Sequence, residues 1–246
     1  MIPALIIGRA GSSGVPGKNI LNILGRPMMA YPLLAAKHSK YCDEIFVSTD
    51  CDDISSIGSK YGAQTIDRPD YLASNEALAE DAYIHGYEQI KGLINHEPEL
   101  LILMFCNGVT VLSKYIDEAV ELLRADPTLD SVTTVSEYNM FSPLRAKKID
   151  EDGKLIPFIP VEYFGKDVSC DRGSQGDAWF ADCSLFVVRP HCMISKNGDQ
   201  PFTWLGRNVH PIKQSGGQDV DNEWQVPVVE YWLLEHNFSE DKTPYD

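Results

Sequence analysis

The stretch from Gly8 to Asn19, GRAGSSGVPGKN, follows directly on the apolar run Ile2 to Ile7 and carries four glycines, three of them between the cations Arg9 and Lys18. Glycines leaving a strand let backbone N–H groups approach an anion with no Cβ in the way, and serine hydroxyls add donors. Two flanking cations supply the charge that holding a phosphate requires. The alternative is a plain surface turn, which leaves the paired cations without a purpose. The loop is neither a GxxxxGK[ST] phosphate loop nor a GxGxxG turn, because Pro16 and the extended NILNIL behind it argue against a helix starting at Gly17-Lys18. A second group lies far downstream in GGQDVDNEWQ. Asp219 and Asp221 are alternate residues, so in an extended segment both carboxylates face one way and can share Mg2+ with substrate phosphates; the alternative is an ordinary acidic pair on a surface loop, and one ion or two is left open.

These groups need a frame to bring them together. Short apolar runs at Ala4–Ile7, Glu44–Ser48, Gln64–Ile66, Leu100–Phe105 and Ser131–Val135 read as strands. Between them Pro27–Ser39, Asp52–Tyr61, Asn75–Leu93 and Ser113–Arg124 carry helical spacing, with Asn75 and Ser113 as N-cap candidates. The rhythm predicts an α/β fold: a mostly parallel, Rossmann-like sheet between two helical layers, with ligands gathering at the carboxyl ends of its strands. It breaks over 137–178, where Pro, Gly and charge dominate and Asp150-Glu151-Asp152-Gly153-Lys154 signals a turn between two short extended runs. We read this as an arm inserted in a single domain of residues 1–246, which a last strand at Ser184–Val188 and a last helix at Val226–His236 complete.

Composition narrows the partners. A formal charge of −15 over 246 residues opposes a phosphate backbone, which excludes a general nucleic-acid binder. Six cysteines without a CxxC pair read as reduced thiols, and the six histidines have no partner at metal-ligand spacing. No stretch approaches the ~18 apolar residues of a membrane span, and Met1-Ile2-Pro3 leads into a strand without a signal-peptide pattern, so a cytoplasmic protein is expected.

The run IIGRAGSSGVPGKN, followed in order by LGRPMMAYPLLAA, IFVSTD, IDRPDYLAS and DVD, resembles the cytidylyltransferases that activate sialic acid and related 2-keto-3-deoxy sugar acids. The resemblance spans nearly the whole chain. It implies a nucleotidyltransferase fold with a protruding dimerisation element, a magnesium requirement, a homodimer, and attack of a sugar acid's anomeric hydroxyl on the α-phosphate of CTP. It further implies that Arg9 and Lys18 neutralise the triphosphate. Gly8, Ala10, Gly11, Ser12 and Asn19 would line it, Arg68 and Ala77 would meet the cytosine, and Asp219 and Asp221 would hold the metal. Asp50, closing IFVSTD, is left between a functional role and a helix cap.

The sequence also departs from that pattern. Ser13 stands where a lysine is usual and Gly8 where an alanine is. The usual glutamine and arginine after the Leu100–Phe105 strand are replaced by Phe105-Cys106-Asn107-Gly108-Val109-Thr110-Val111, which leaves Asn107 a polar task at the nucleotide and Cys106 a packing one. On the acceptor side Arg145 is the expected carboxylate partner, supported from the arm by Arg172 and Gln175, with Asp182 where asparagine is usual. Three functions follow: CMP transfer to a sialic-, legionaminic- or octulosonic-type acid, CMP transfer to a phosphonate or other small anion, and a catalytically silent nucleotide-binding homologue.

Overall fold

The computed structural model describes residues 1–11, 14–165 and 167–246, with Arg172 described by its backbone alone. In chain order the strands are β1 (Ala4–Ile7), the small hairpin β2 (Asn22–Ile23) and β3 (Arg26–Pro27), β4 (Ile45–Thr49), β5 (Gln64–Asp67), β6 (Leu101–Phe105) and β7 (Ser131–Glu137). A second small hairpin, β8 (Lys147–Ile149) and β9 (Leu155–Pro157), precedes β10 (Trp179–Val188) and β11 (Val209–Gln214). Seven strands form the main sheet in the order β11-β7-β10-β6-β1-β4-β5. Its pairs are parallel except those of β10, which runs antiparallel to both β6 and β7. The helices are α1 (Ala30–Lys37), α2 (Asp52–Lys60), α3 (Ala79–Ile94), α4 (Ser113–Ala125), α5 (Pro190–Ser195) and α6 (Gln225–Glu235).

Strand alternation splits the core into two halves. Ala4, Ile6, Ile102 and Met104 pack with Leu33 of α1, Ile116 of α4 and Trp232 of α6 on one face. Leu5, Ile7, Leu101 and Leu103 pack with Tyr83 and Tyr87 of α3 and Met193 of α5 on the other. Burial on both faces is why these strands read as continuous apolar runs rather than as alternating ones. The result is the three-layer Rossmann-like α/β arrangement that the β-α rhythm predicts.

Three local expectations need correction. Helix α3 begins at Ala79 and not near Asn75, because the Arg9 guanidinium holds the carbonyls of Ala73 and Ser74 and draws that segment out toward the first loop. Ser113 is the first residue of α4 rather than its cap; Leu112 precedes it, and the Ser113 N–H is satisfied by the Tyr245 hydroxyl at 3.1 Å. Behind Gly17 the chain makes one 3-10 turn, Lys18–Ile20, before it extends.

The end of the sheet also differs. Its last strand is β11, parallel to β7, which the sequence conceals because Pro211 interrupts VHPIKQ; an edge strand tolerates proline, since one side of it donates to nothing. β10 starts at Trp179, five residues before the expected strand, and carries a register shift between Ala181 and Phe186. Between β7 and β10 the chain leaves the sheet, and the predicted hairpin forms there as β8 and β9.

Candidate active site

The glycine loop begins at the carboxyl end of β1, between its neighbours β4 and β6. Gly8 donates its N–H to the Ser48 carbonyl at 3.2 Å. A methyl group on Gly8 would stand 2.5 Å from Cys106 Sγ and 3.2 Å from Asn19 Nδ2. The glycine is therefore the complement of Cys106, whose thiol fills the space an alanine would use. Burial pushes that thiol up to about 12, so it packs and does not attack.

Long-range bonds brace the loop. Asn19 Nδ2 donates to the Arg9 carbonyl at 3.1 Å, and the Ala10 N–H donates to Asp50 Oδ1 at 2.9 Å. This answers the question of Asp50: it holds the loop, while α2 is preceded by Cys51 with no side-chain cap. Ala10, expected along the triphosphate, gives its N–H to Asp50 and is not among the residues that line the cleft described below. Arg68 is buried and donates to the Ser48 carbonyl at 2.6 Å and to Ser48 Oγ at 3.3 Å.

The acidic pair approaches from the far end of the chain. Val220 is fully buried, and alternation turns Asp219 and Asp221 away from it. Asn107 holds this segment, giving Nδ2–H to Asp219 Oδ2 at 3.2 Å and to the Val220 carbonyl at 3.0 Å, and accepting the Val220 N–H at 3.1 Å. The amide expected at the nucleotide is thus committed to the acidic loop. Burial and the nearby Asp221 charge push the Asp219 carboxyl up to about 6, against the opposing pull of Lys18. Lys18 Nζ pairs with Asp221 Oδ1 at 2.5 Å. Gly14 meets the Asp221 carbonyl so closely that no side chain would fit between the two loops.

Together these elements line a cleft of about 460 Å³ at the carboxyl ends of the strands. Gly8, Arg9, Gly11, Lys18 and Asn19 form one wall, Arg68 and Ala77 a second, and Asn107 with Asp221 a third. Leu72, Ala82 and Phe105 add an apolar floor that residue chemistry alone did not single out. Three cations thus converge on a chain of net charge −15. Asp221 lines the cleft, whereas Asp219 lies behind it, outside the lining; the two carboxylates offer only oxygen, the set a hard divalent cation takes, and such an ion would relieve the repulsion that Asp219 feels from Asp221.

Other expected residues lie elsewhere. Ser12, Ser13 and the Arg172 side chain fall outside the described residues. Arg145 and Gln175 are joined to each other on the arm, Nε to Oε1 at 3.2 Å, and do not line the cleft of their own chain. Asp182 is corrected outright: it is 5% exposed, with its carboxylate occupied by four neighbours, and has no surface for an acceptor. His191 does meet ligand-type groups, lying with Asp130 and Cys192 within 4.8 Å. That cluster is a structural tie, since Asp130 already accepts the N–H groups of Arg207 and Asn208 and the His191 ring.

A family model described as cytidylyltransferase matches residues 3–85. The CMP-N,N'-diacetyllegionaminic acid synthase of Legionella pneumophila is 45% identical over 233 residues, which cover 92% of this chain and 94% of that protein. The chain belongs to the CMP-sugar synthetase family of cytidylyltransferases. The chain is also 31% identical over 237 residues to the N-acylneuraminate cytidylyltransferase of Oncorhynchus mykiss. It spans about half or less of the length of that relative and of others like it. Its fold matches that of a CMP:2-keto-3-deoxy-manno-octonic acid synthetase solved with CTP, with TM-score 0.68 at 15% identity, over 95% of this chain and 98% of that one.

Proposed function

We propose that this cytidylyltransferase transfers CMP from CTP to the anomeric hydroxyl of a 2-keto-3-deoxy sugar acid and releases pyrophosphate. What carries the reading is the meeting of Lys18 and Asp221, 203 positions apart, at a cleft that Arg9 and Arg68 also line. In-line displacement at phosphorus depends on positioning and charge neutralisation rather than on a protein nucleophile. The triphosphate lies along the glycine loop, with Arg9 and Lys18 offsetting its charge, and the base turns toward Arg68 and Ala77. Asp50 and Asn19 keep the loop in place, while Asn107 keeps Asp219 in place. Asp219 and Asp221 would hold Mg2+, which when bound would withdraw charge from the phosphate oxygens and open the phosphorus to attack.

The acceptor subsite is shared between two copies of the chain. Arg145 is the candidate partner for the acid's carboxylate, and its place on the arm fits delivery to the cleft of a second copy. The arm exposes Ile149, Leu155, Phe158 and Tyr163, each more than half accessible, as a surface awaiting a partner would. We therefore propose a homodimer, working in the cytoplasm. Among the described residues no helix is long and apolar enough to cross a membrane.

The test is pyrophosphate release from CTP and Mg2+ with a panel of acids, an N,N'-diacetyllegionaminic acid first among them. Turnover is expected with at least one sugar acid, and Asp221→Ala is expected to lower kcat about 100-fold or more. No turnover with any acid, beside a working control enzyme, refutes the proposal. Turnover with a phosphonate alone would move the function to the small-anion reading.

A further inference from the structure

The acidic loop rests on a buried carboxylate that the cleft does not expose. Asp182 Oδ1 accepts the Thr134 hydroxyl at 2.6 Å and the Ser184 N–H at 3.1 Å. Its Oδ2 accepts the Ser136 hydroxyl at 2.9 Å and Gln214 Nε2–H at 2.8 Å. All four donors are uncharged, and they come from β7, β10 and β11, the three strands at one end of the sheet. Asp182 stands where β10 loses register, and its bond to Ser184 spans Cys183, whose φ of +59° lies in the left-handed region. A bulge of this kind redirects the chain beside a site.

From this hub the bonds run outward to the loop. Ser136 Oγ accepts the Gly217 N–H at 2.8 Å, and the Tyr138 hydroxyl donates to the Gly217 carbonyl at 2.9 Å. Gln214 Nε2 also donates to the Thr110 carbonyl at 3.2 Å, and Thr110 Oγ1 accepts the Gln218 N–H at 2.8 Å. Gly217 lies so close that a methyl group there would stand 2.5 Å from Asp182 Oδ2. Asp219 is the second residue beyond this contact and Asp221 the fourth.

The site calls for a carboxylate. Four donors converge on two oxygens, and an amide offers only one acceptor oxygen. In one orientation an asparagine would turn its NH2 against the Ser184 N–H, and in the other against Gln214 Nε2. The asparagine that the family resemblance leads one to expect would therefore leave donors opposed in this chain.

We propose that Asp182 is a positioning residue: its carboxylate fixes the Gly217-Gln218 segment and thereby the placement of Asp219 and Asp221. The inference rests on the metal reading of those two aspartates, but its first readout does not depend on that reading. Amide hydrogen exchange is measured on peptides covering residues 215–221 in the wild type, Asp182→Asn and Ser136→Ala. The second variant cuts the link between the carboxylate and Gly217 while leaving Asp182 and its three other donors in place, and it keeps the test open where the first does not fold. Exchange in the loop is expected to rise at least tenfold in both, while peptides from β1 and α3 stay unchanged. Binding of Mn2+ with CTP, followed by electron paramagnetic resonance, is expected to weaken about tenfold, with kcat reduced and the KM for CTP within twofold of wild type. A purely structural carboxylate would lower the melting temperature and leave loop exchange as in the wild type, and that result overturns the proposal. Absence of Mn2+ binding by the wild type would instead refute the metal assignment, and the exchange data would still decide the role of Asp182.

Discussion

Replacing Gly8 by alanine should damage the root of the glycine loop, and the geometry sets the size of the effect. The new methyl would stand 2.5 Å from Cys106 Sγ and 2.9 Å from Cys106 Cβ, where ordinary contact begins near 3.4 Å. Cys106 is fully buried, and its Cβ cannot swing aside as the end of a flexible side chain would. Gly8 does not sit at positive φ, so nothing but the contact opposes alanine. Overpacking of this kind costs about 1–3 kcal/mol. The methyl also crowds Asn19 Nδ2 at 3.2 Å, the group that ties the loop to the Arg9 carbonyl, so the KM for CTP should rise with the loss of stability. Cys106→Ala alone should cost about 1 kcal/mol in lost contacts and a small cavity. In Gly8→Ala/Cys106→Ala the sulfur contact is gone while the 2.9 Å contact with the remaining Cβ stays, so the double variant should recover part of the Gly8→Ala penalty and lose less than the sum of the two single variants. Urea unfolding of the four proteins measures the cycle. Strictly additive penalties, or a neutral Gly8→Ala, would refute the complementarity argued for these two positions.

Two further outcomes follow from bonds in and beside the cleft. Arg68→Lys keeps the charge but loses the planar fork that grips Ser48 while lining the cleft, so CTP affinity by calorimetry should fall about tenfold or more; undiminished affinity would remove Arg68 from the base. Asp130 is held below its ordinary 3.8: burial raises its carboxyl, but the N–H groups of Asn208 and Arg207 and the His191 ring outweigh that. A depressed carboxyl contributes stability that is present above the unfolded value and is lost as pH falls through the folded one. The deficit of Asp130→Asn in chemical unfolding should accordingly be full near pH 7 and shrink below about pH 3.8, and a deficit that grew on acidification would contradict this.

Much of the frame was legible because each segment carries its own signal. The five strands expected before the arm and the helices between them were found within a few residues, since apolar run length and helical period report burial directly. The arm's hairpin was readable from a single turn sequence. β11 was not, because an edge strand with polar alternate positions and a proline looks like a loop until its partner is known. Asp182 was misassigned for a related reason: its residue type suits an acceptor site, and only the neighbours that surround it reveal a buried hub.

The sequence by itself determined which groups were available, namely glycines and cations at one end and paired carboxylates at the other. Tertiary structure decided how these groups divide the work. It gave Asp50 to the loop's backbone, Asn107 to Asp219, Cys106 to the space beside Gly8, and Arg145 to an arm outside its own cleft. The physical reason is that residue type and period are local properties. A hydrogen bond between positions 107 and 219, or an ion pair between 18 and 221, depends on the order in which strands line up across the sheet.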